Sequence, residues 1–378
     1  MSDTLADRLP DFPWDRLAAT AALARSHHDG VVDLSVGTPV DPVPDVIKAA
    51  LIDAADSPGY PLTAGTPALL AAASGWLART LGVQVDSSAV LPTIGSKELV
   101  GWLPTLLGLG PADTVVIPEL AYPTYEVGAR AARCDVLVTD STVASGPGRI
   151  SLVWLNSPSN PTGRVLPAEH LAKVVAWARE RGAVVVSDEC YIELGWTATP
   201  VSVLHPSVCG DSHEGVLSVH SLSKRSNLAG YRAGIVAGDP ALVQALRQAR
   251  KHMGMMVPAP VQAAAAAAFA DDEHVVMQRD RYSTRRTALL TALVDAGFQV
   301  DHSEAGLYLW CTRGEPCWET TTWLAERGIL VAPGDFYGKA GKNHIRVALT
   351  ATDAKIATAV ARLTQTNPNS PFLPLGAI

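Results

Sequence analysis

Lys224 stands in the segment SVHSLSKRSNLAGYRAG, residues 218–234, where an apolar run ends in Ser221 and a turn of small residues follows. A lysine withdrawn from water loses its proton readily and can attack a carbonyl to form a Schiff base. Arg232 comes just before a second apolar run. Together with Ser221 it can grip a phosphate, the arginine through a two-pronged fork. The plainer alternative is a surface lysine in a polar loop. Asp188 and Tyr191 close the apolar run of AVVVSDECYIELGW. A carboxylate at the end of a buried strand must be paired or hydrogen-bonded. It either caps a helix or faces a protonated ring nitrogen, with the Tyr191 hydroxyl turned to the same ligand.

Four further features carry the same double reading. Asn160 lies in the turn-rich loop NSPSNPTGRVLP, residues 156–167, where Asn-Pro and Gly are ordinary turn chemistry; its side chain can also donate to a phenolate oxygen. Ser96 and Lys97 follow Gly95 at a helix start in LPTIGSKELVGWL. Backbone N–H groups and the helix dipole favour an anion there, although many helices begin in this way. Tyr122 of IPELAYPTYEV either packs in a core or stacks on a flat ring. Arg346 sits inside the apolar run HIRVALT. A charge there needs a partner, either an internal carboxylate or that of a substrate. Pyridoxal phosphate asks for these parts together: a lysine for its aldehyde, a carboxylate for its ring nitrogen, donors for its ring oxygen, an aromatic face and a phosphate cradle.

The elements that must position these residues alternate. VVDLSV (31–36), TVVIP (114–118), DVLVTD (135–140), SLVWLN (151–156), AVVVSDE (183–189), VLSVHS (216–221) and AGIVAGD (233–239) read as buried strands, most of them apolar on both faces. Helical patterns cover 66–81, 97–108, 123–132, 167–181 and 239–253. This βαβα rhythm implies an α/β domain with a mostly parallel sheet covered by helices. From about residue 272 a long helix (273–296) and four strands read as a smaller α+β unit. The organisation expected is a large domain over 41–271, a small domain built from 1–40 and 272–366, and a Pro- and Asn-rich tail over 367–378.

Composition narrows the classes. The chain has 378 residues, 48% hydrophobic and 18% charged, so a sizeable core is available. Its net charge of −7 argues against a nucleic-acid partner, which would want a basic face. No apolar run approaches a membrane span. The N-terminus MSDTLADRLPDFPWDRL carries acids and lacks the apolar stretch of a signal peptide. Five scattered cysteines without a CxxC pair suit a reducing cytoplasm and give no metal site. There is no GxxxxGK[ST], GxGxxG after a strand, HExxH or GxSxG.

In combination, NPTG (160–163), DECY (188–191), SLSK (221–224) with Arg232, and RVAL (346–349) resemble the motifs of fold-type I pyridoxal-phosphate enzymes, in particular aminotransferases of class I/II, over about residues 30–365. More narrowly, DFPWDRL, DLSVGTPVDP (33–42), IPELAYPTYEV, HSLSKRSNLAGYRAG, SEAGLYLW (303–310) and GILVAPGDFYG (328–338) are similar to the N-succinyldiaminopimelate aminotransferases of the lysine pathway. The resemblance implies roles. Lys224 would bind the cofactor aldehyde and then move the proton. Asp188 would keep the ring nitrogen protonated, Asn160 and Tyr191 would bond the ring oxygen, and Tyr122 would stack on the ring. The backbone of Ser96 and Lys97, with Ser221 and Arg232, would hold the phosphate. Arg346 would pair with the substrate α-carboxylate, and Gly37 would let the N-terminal segment approach it. Tyr60 would reach the phosphate of a neighbouring subunit, which implies a homodimer.

The reaction implied takes the amino group of glutamate to N-succinyl-2-amino-6-oxopimelate. Rivals with the same motifs are aminotransferases for aspartate or aromatic amino acids and carbon–sulfur lyases. The ring-stacking position is Tyr where some relatives have Trp, and no residue is assignable to a distal substrate carboxylate.

Overall fold

Among the described residues, thirteen short strands build three sheets. They are β1 (Val32–Asp33), β2 (Val90–Ile94), β3 (Thr114–Ile117), β4 (Asp135–Val138), β5 (Ile150–Asn156), β6 (Val184–Asp188), β7 (Val216–Ser221), β8 (Ala233–Gly238), β9 (Gln299–Asp301), β10 (Tyr308–Thr312), β11 (Ile329–Leu330), β12 (Ala332–Pro333) and β13 (Ile345–Ala348). This computed structural model describes residues 4–141 and 148–364. The tail expected over 367–378 lies outside the described residues.

The large sheet has the order β2-β8-β7-β6-β5-β3-β4. Its pairs are parallel from β4 through β3, β5 and β6 to β7. Only β8 runs the other way, antiparallel to both β7 and β2. Strands β5, β7 and β8 are buried at every residue, because helices cover both faces. Alternation along β5 divides the core. Val153 and Leu155 join a cluster with Leu171, Val174 and Leu77, whereas Leu152 and Trp154 join Leu99, Leu103 and Tyr125 on the opposite face.

Helix starts follow local chemistry. The helix Pro67–Leu81 begins with Pro and is capped by the Thr66 hydroxyl, which accepts from the Leu69 N–H at 3.2 Å. The Asp239 carboxylate caps Pro240–His252 by accepting from the N–H groups of Ala241 and Leu242. The helix expected over 97–108 begins two residues earlier and runs Gly95–Leu106.

The C-terminal part forms the antiparallel sheet β12-β13-β10-β9. The helices Glu273–Asp295 and Asp353–Thr364 pack on each other, and Tyr282, Leu289 and Ile356 share a core with Leu309 and Val347. The N-terminal segment is woven into this unit. β1 pairs in parallel with β11, and Leu17, Ala21 and Ala24 pack with Trp310, Leu330 and Phe336. The strand expected over 31–36 is only two residues long, because past Leu34 the chain leaves its partner and turns toward the large sheet. Ahead of this strand, a 3-10 turn (Pro13–Leu17) leads into the helix Ala18–Arg25. Among the described residues no helix is long and apolar enough to cross a membrane.

Candidate active site

The reversed direction of β8 assembles the site. Its first residues pair with the last residues of its neighbours: Ser221 faces Gly234 and Ile94 faces Ala233. Arg232, immediately before β8, therefore reaches the edge where β2, β5, β6 and β7 end. Ligands of open α/β sheets bind in the crevice at this edge. Asn156 and Asp188 are partners in register there. The small sheet closes the crevice from the other side with Tyr308 of β10 and Arg346 of β13. The resulting cleft has a volume of about 500 Å³, and every residue nominated from the sequence except Tyr60 lines it. Tyr60 is 96% exposed.

At one end of the cleft, Ser96 and Lys97 open the helix Gly95–Leu106 beside Arg232. Gly95 has φ +69°, and a Cβ there would run into the Arg232 guanidinium. Arg232 itself is left-handed, φ 57° and ψ 53°, a conformation that costs a non-glycine residue about 1–3 kcal/mol and clusters at functional sites. Its Nη1 donates to the Ala229 carbonyl at 3.0 Å. Ser221 lines the same end, its Oγ accepting from the Ser223 N–H at 3.1 Å.

Asp188 lies at the floor. The Tyr125 hydroxyl donates to its Oδ2 at 2.9 Å, and the Cys190 N–H donates to its Oδ1 at 3.2 Å. Burial pushes its carboxyl above the usual carboxylate range against both donors. Lys224 Nζ donates to the Gly37 carbonyl oxygen, and burial holds its amine below the ordinary lysine value. Tyr122, half-buried, meets the Tyr125 ring edge-on at 5.9 Å.

At the other end, Arg346 Nη1 donates to Asn160 Oδ1 at 2.8 Å and Nη2 to the Ser35 carbonyl at 2.7 Å. Its Nε is buried without a partner. Asn160 is fixed through Asn156, whose Oδ1 accepts from the Asn160 N–H at 2.7 Å while its Nδ2 donates to the Asp188 carbonyl at 2.8 Å. The Tyr191 and Tyr308 hydroxyls are 3.1 Å apart.

This donor set fits pyridoxal phosphate. Asp188 is a buried acid to which no cation pairs among the described residues. The glycine-opened helix start and Arg232 form a cradle that a Cβ at residue 95 would fill. Among the described residues no carboxylate pairs with Lys97, Arg232 or Arg346.

The family profile of aminotransferases of class I and II matches residues 29–363. The chain belongs to the class I and II aminotransferases. A probable aminotransferase of Mycobacterium tuberculosis is 64% identical over 94% of this chain and 85% of its own length. The 4-dedimethylamino-4-oxo-anhydrotetracycline transaminase OxyQ of Streptomyces rimosus is 60% identical over 94% of this chain and 99% of its own. Among solved structures, a probable N-succinyldiaminopimelate aminotransferase from Thermus thermophilus is 27% identical, covers 93% of this chain and 99% of its own, and superposes with a TM-score of 0.84. Aminotransferases of this class depend on pyridoxal phosphate, and this one has their mixed α/β fold.

Several residues of this aminotransferase's cleft escape a reading of the sequence. Tyr308 and Tyr125 lie in apolar surroundings, where an aromatic reads as core. Phe12 and Trp14 come to the cleft mouth from the N-terminal segment. Asn156 did carry a signal, since it ends a largely apolar strand. Behind the floor, Glu189 Oε1 accepts from the Val203 N–H at 2.7 Å, and its Oε2 lies 3.6 Å from His220 Nε2. Burial raises Glu189 to about 7 and depresses His220 to about 3. The His220 ring meets Trp76 edge-on at 5.0 Å.

Proposed function

We propose that this aminotransferase moves an amino group between glutamate and N-succinyl-2-amino-6-oxopimelate, giving N-succinyl-LL-2,6-diaminopimelate, and works as a homodimer in the cytoplasm. The observation that carries this reading is the charge of the cleft. Lys97, Lys224, Arg232 and Arg346 line it against the single carboxylate of Asp188, in a chain whose net charge is −7. Three of these cations have duties in any aminotransferase of this class: Lys224 at the aldehyde, Arg232 at the phosphate and Arg346 at the α-carboxylate. Lys97, exposed at the mouth, is left for an anionic group at the far end of a substrate. The Thermus thermophilus relative bears a name of this specificity. The homodimer rests on Tyr60, whose exposed ring has its implied partner in a second copy.

When bound, pyridoxal phosphate supplies a sink for the electron pair left at the substrate α-carbon. The chain supplies the rest. Arg346, braced by Asn160 and the Ser35 carbonyl, binds the α-carboxylate by a charge-assisted fork. Lys224, whose amine is low in pKa, takes the α-proton at Nζ and returns it. Asp188 keeps a hydrogen on the ring nitrogen, a task for a buried carboxylate held by two donors. Tyr191 and Asn160 would hold the ring oxygen by hydrogen bonds.

A second reading has support in the aromatic mouth. Phe12, Trp14 and Tyr122 line it, and OxyQ is named for a polycyclic ketone; flat rings stack on such walls. One experiment separates the readings. The protein is loaded with pyridoxal phosphate, and its visible band is followed after mixing with N-succinyl-LL-diaminopimelate, aspartate or an aminated polycyclic aromatic. Rapid bleaching by the succinylated substrate alone is the expected result. Faster bleaching by either competitor overturns the substrate, and absence of a band overturns the cofactor site.

A further inference from the structure

Two phenols meet beneath Arg346, and each hydroxyl has one hydrogen to give. Tyr191 and Tyr308 lie 3.1 Å apart, oxygen to oxygen, their rings edge to face at 5.7 Å. Geometry alone allows either to donate. The choice has a consequence, because a Tyr191 that donates to Tyr308 has no hydrogen left for a ligand.

The surroundings decide the direction. Register in the small sheet pairs Trp310 with Arg346 and Tyr308 with Ala348, so Arg346 is the diagonal neighbour of Tyr308 on the same face. The guanidinium carbon lies 3.9 Å from the centroid of the Tyr308 ring and 4.9 Å from that of Tyr337. The charged and titratable groups facing Tyr308 are Arg346, Lys224, Tyr191 and Cys190, with Tyr337, Tyr122 and Tyr282 beyond them. Burial alone would raise the Tyr308 phenol, but Arg346 and then Lys224 outweigh it and hold the phenol below the ordinary tyrosine value. Burial, then Tyr308 itself, pushes Tyr191 well above that value. Arg346 rests on the Tyr308 ring, and a cation held against a phenol ring polarises its hydroxyl toward donation. Tyr308 is also locked in place, since a Cβ on Gly37 would collide with its hydroxyl and ring.

We propose that Tyr308 is a positioning residue that donates its hydroxyl hydrogen to Tyr191 and so commits the Tyr191 hydrogen to the ring oxygen of the cofactor. The inference rests on the cofactor reading above and adds a residue to it. A hydroxyl that accepts a hydrogen bond becomes a stronger donor in turn. Tyr191 is thereby strengthened toward the ring oxygen, and the acidity of the neighbouring Lys224 nitrogen follows.

The test is a pH titration of the visible band in the cofactor-loaded wild type, Tyr308→Phe, Tyr191→Phe and the double variant. Phenylalanine keeps the ring on which Arg346 rests. Tyr308→Phe is expected to move the midpoint upward by about half to one pH unit, because a weaker donor leaves the ring oxygen's negative charge to hold the nearby proton. Tyr191→Phe moves it further in the same direction, and the double variant matches Tyr191→Phe alone, as it must when one residue acts through the other. A Tyr308→Phe curve that superimposes on the wild type, or a double shift equal to the sum, overturns the proposal. Failure of the cofactor reading looks different: the wild type shows no visible band. A second measurement needs no cofactor and no change at 308. In alkaline titration of the cofactor-free protein, the earliest tyrosine ionisation persists in Tyr191→Phe; its loss there overturns the assignment of Tyr308 as donor.

Discussion

Glu189 is flanked by the cleft on one side and His220 on the other, and its titration reaches beyond the site. Its ordinary value is 4.5 and burial raises it to about 7. Across that interval the native protein holds a proton that the unfolded chain has released, so stability falls as pH rises from about 4.5 to about 7. His220 contributes the opposite slope between about 3 and 6.5, overlapping much of that interval, since its folded value of about 3 lies below its ordinary 6.5. Glu189→Gln removes only the first contribution. The stability of this variant relative to wild type is therefore expected to increase from the acid to the neutral end of that interval in denaturant unfolding; a constant difference would refute it. At this scale, legibility depended on cost. Lys224, Asp188 and Arg346 stand out because a charge at the end of an apolar run or inside one demands a partner. Tyr308 and Tyr125 do not, because a phenol in an apolar strand is indistinguishable from a core aromatic until its hydroxyl partner is known.

Among the elements, β8 matters most to the site. Apolar runs identify it as a strand but carry no direction. A signal was available: only residues 222–232 separate β7 from β8, fewer than the dozen or more a parallel crossover requires. The reversal brings Arg232 to Gly95, and their contact leaves no room for a side chain at residue 95. Gly95→Ala, strained at φ +69° as well as crowded, is expected to push Arg232 aside. Cofactor affinity should weaken by about 10–100-fold, or about 1.4–2.8 kcal/mol, beyond a loss of about 1 kcal/mol in the stability of the cofactor-free protein from the strained backbone. Equilibrium titration with pyridoxal phosphate reads this directly, and unchanged affinity would remove Arg232 from the phosphate site. The segment after β1 shows the limit of periodicity from the other side. VVDLSV has the composition of a six-residue strand, but residues beyond Leu34 follow Arg346 and Lys224 instead of a ladder: Ser35 and Gly37 both give their carbonyls to those side chains.

For the whole molecule, the division of labour is testable by mixing. If Tyr60 serves the partner's site, Lys224→Ala and Tyr60→Ala variants are each nearly inactive. Co-refolded in equal amounts, they regain about a quarter of wild-type activity, since half the dimers are hybrids and one site in each hybrid is intact. Activity equal to the mean of the two variants would place Tyr60 outside the site.

The cleft's excess of unpaired cations also bears on how the protein is handled. Phosphate, sulfate and citrate are small polyanions, and Arg232 and Arg346 are poised for such groups. If the two arginines serve cofactor and substrate as proposed, purification or storage in these buffers would fill both places with competitors and slow cofactor uptake, so that an active protein is mistaken for a dead one. An uncharged or cationic buffer leaves the cleft open.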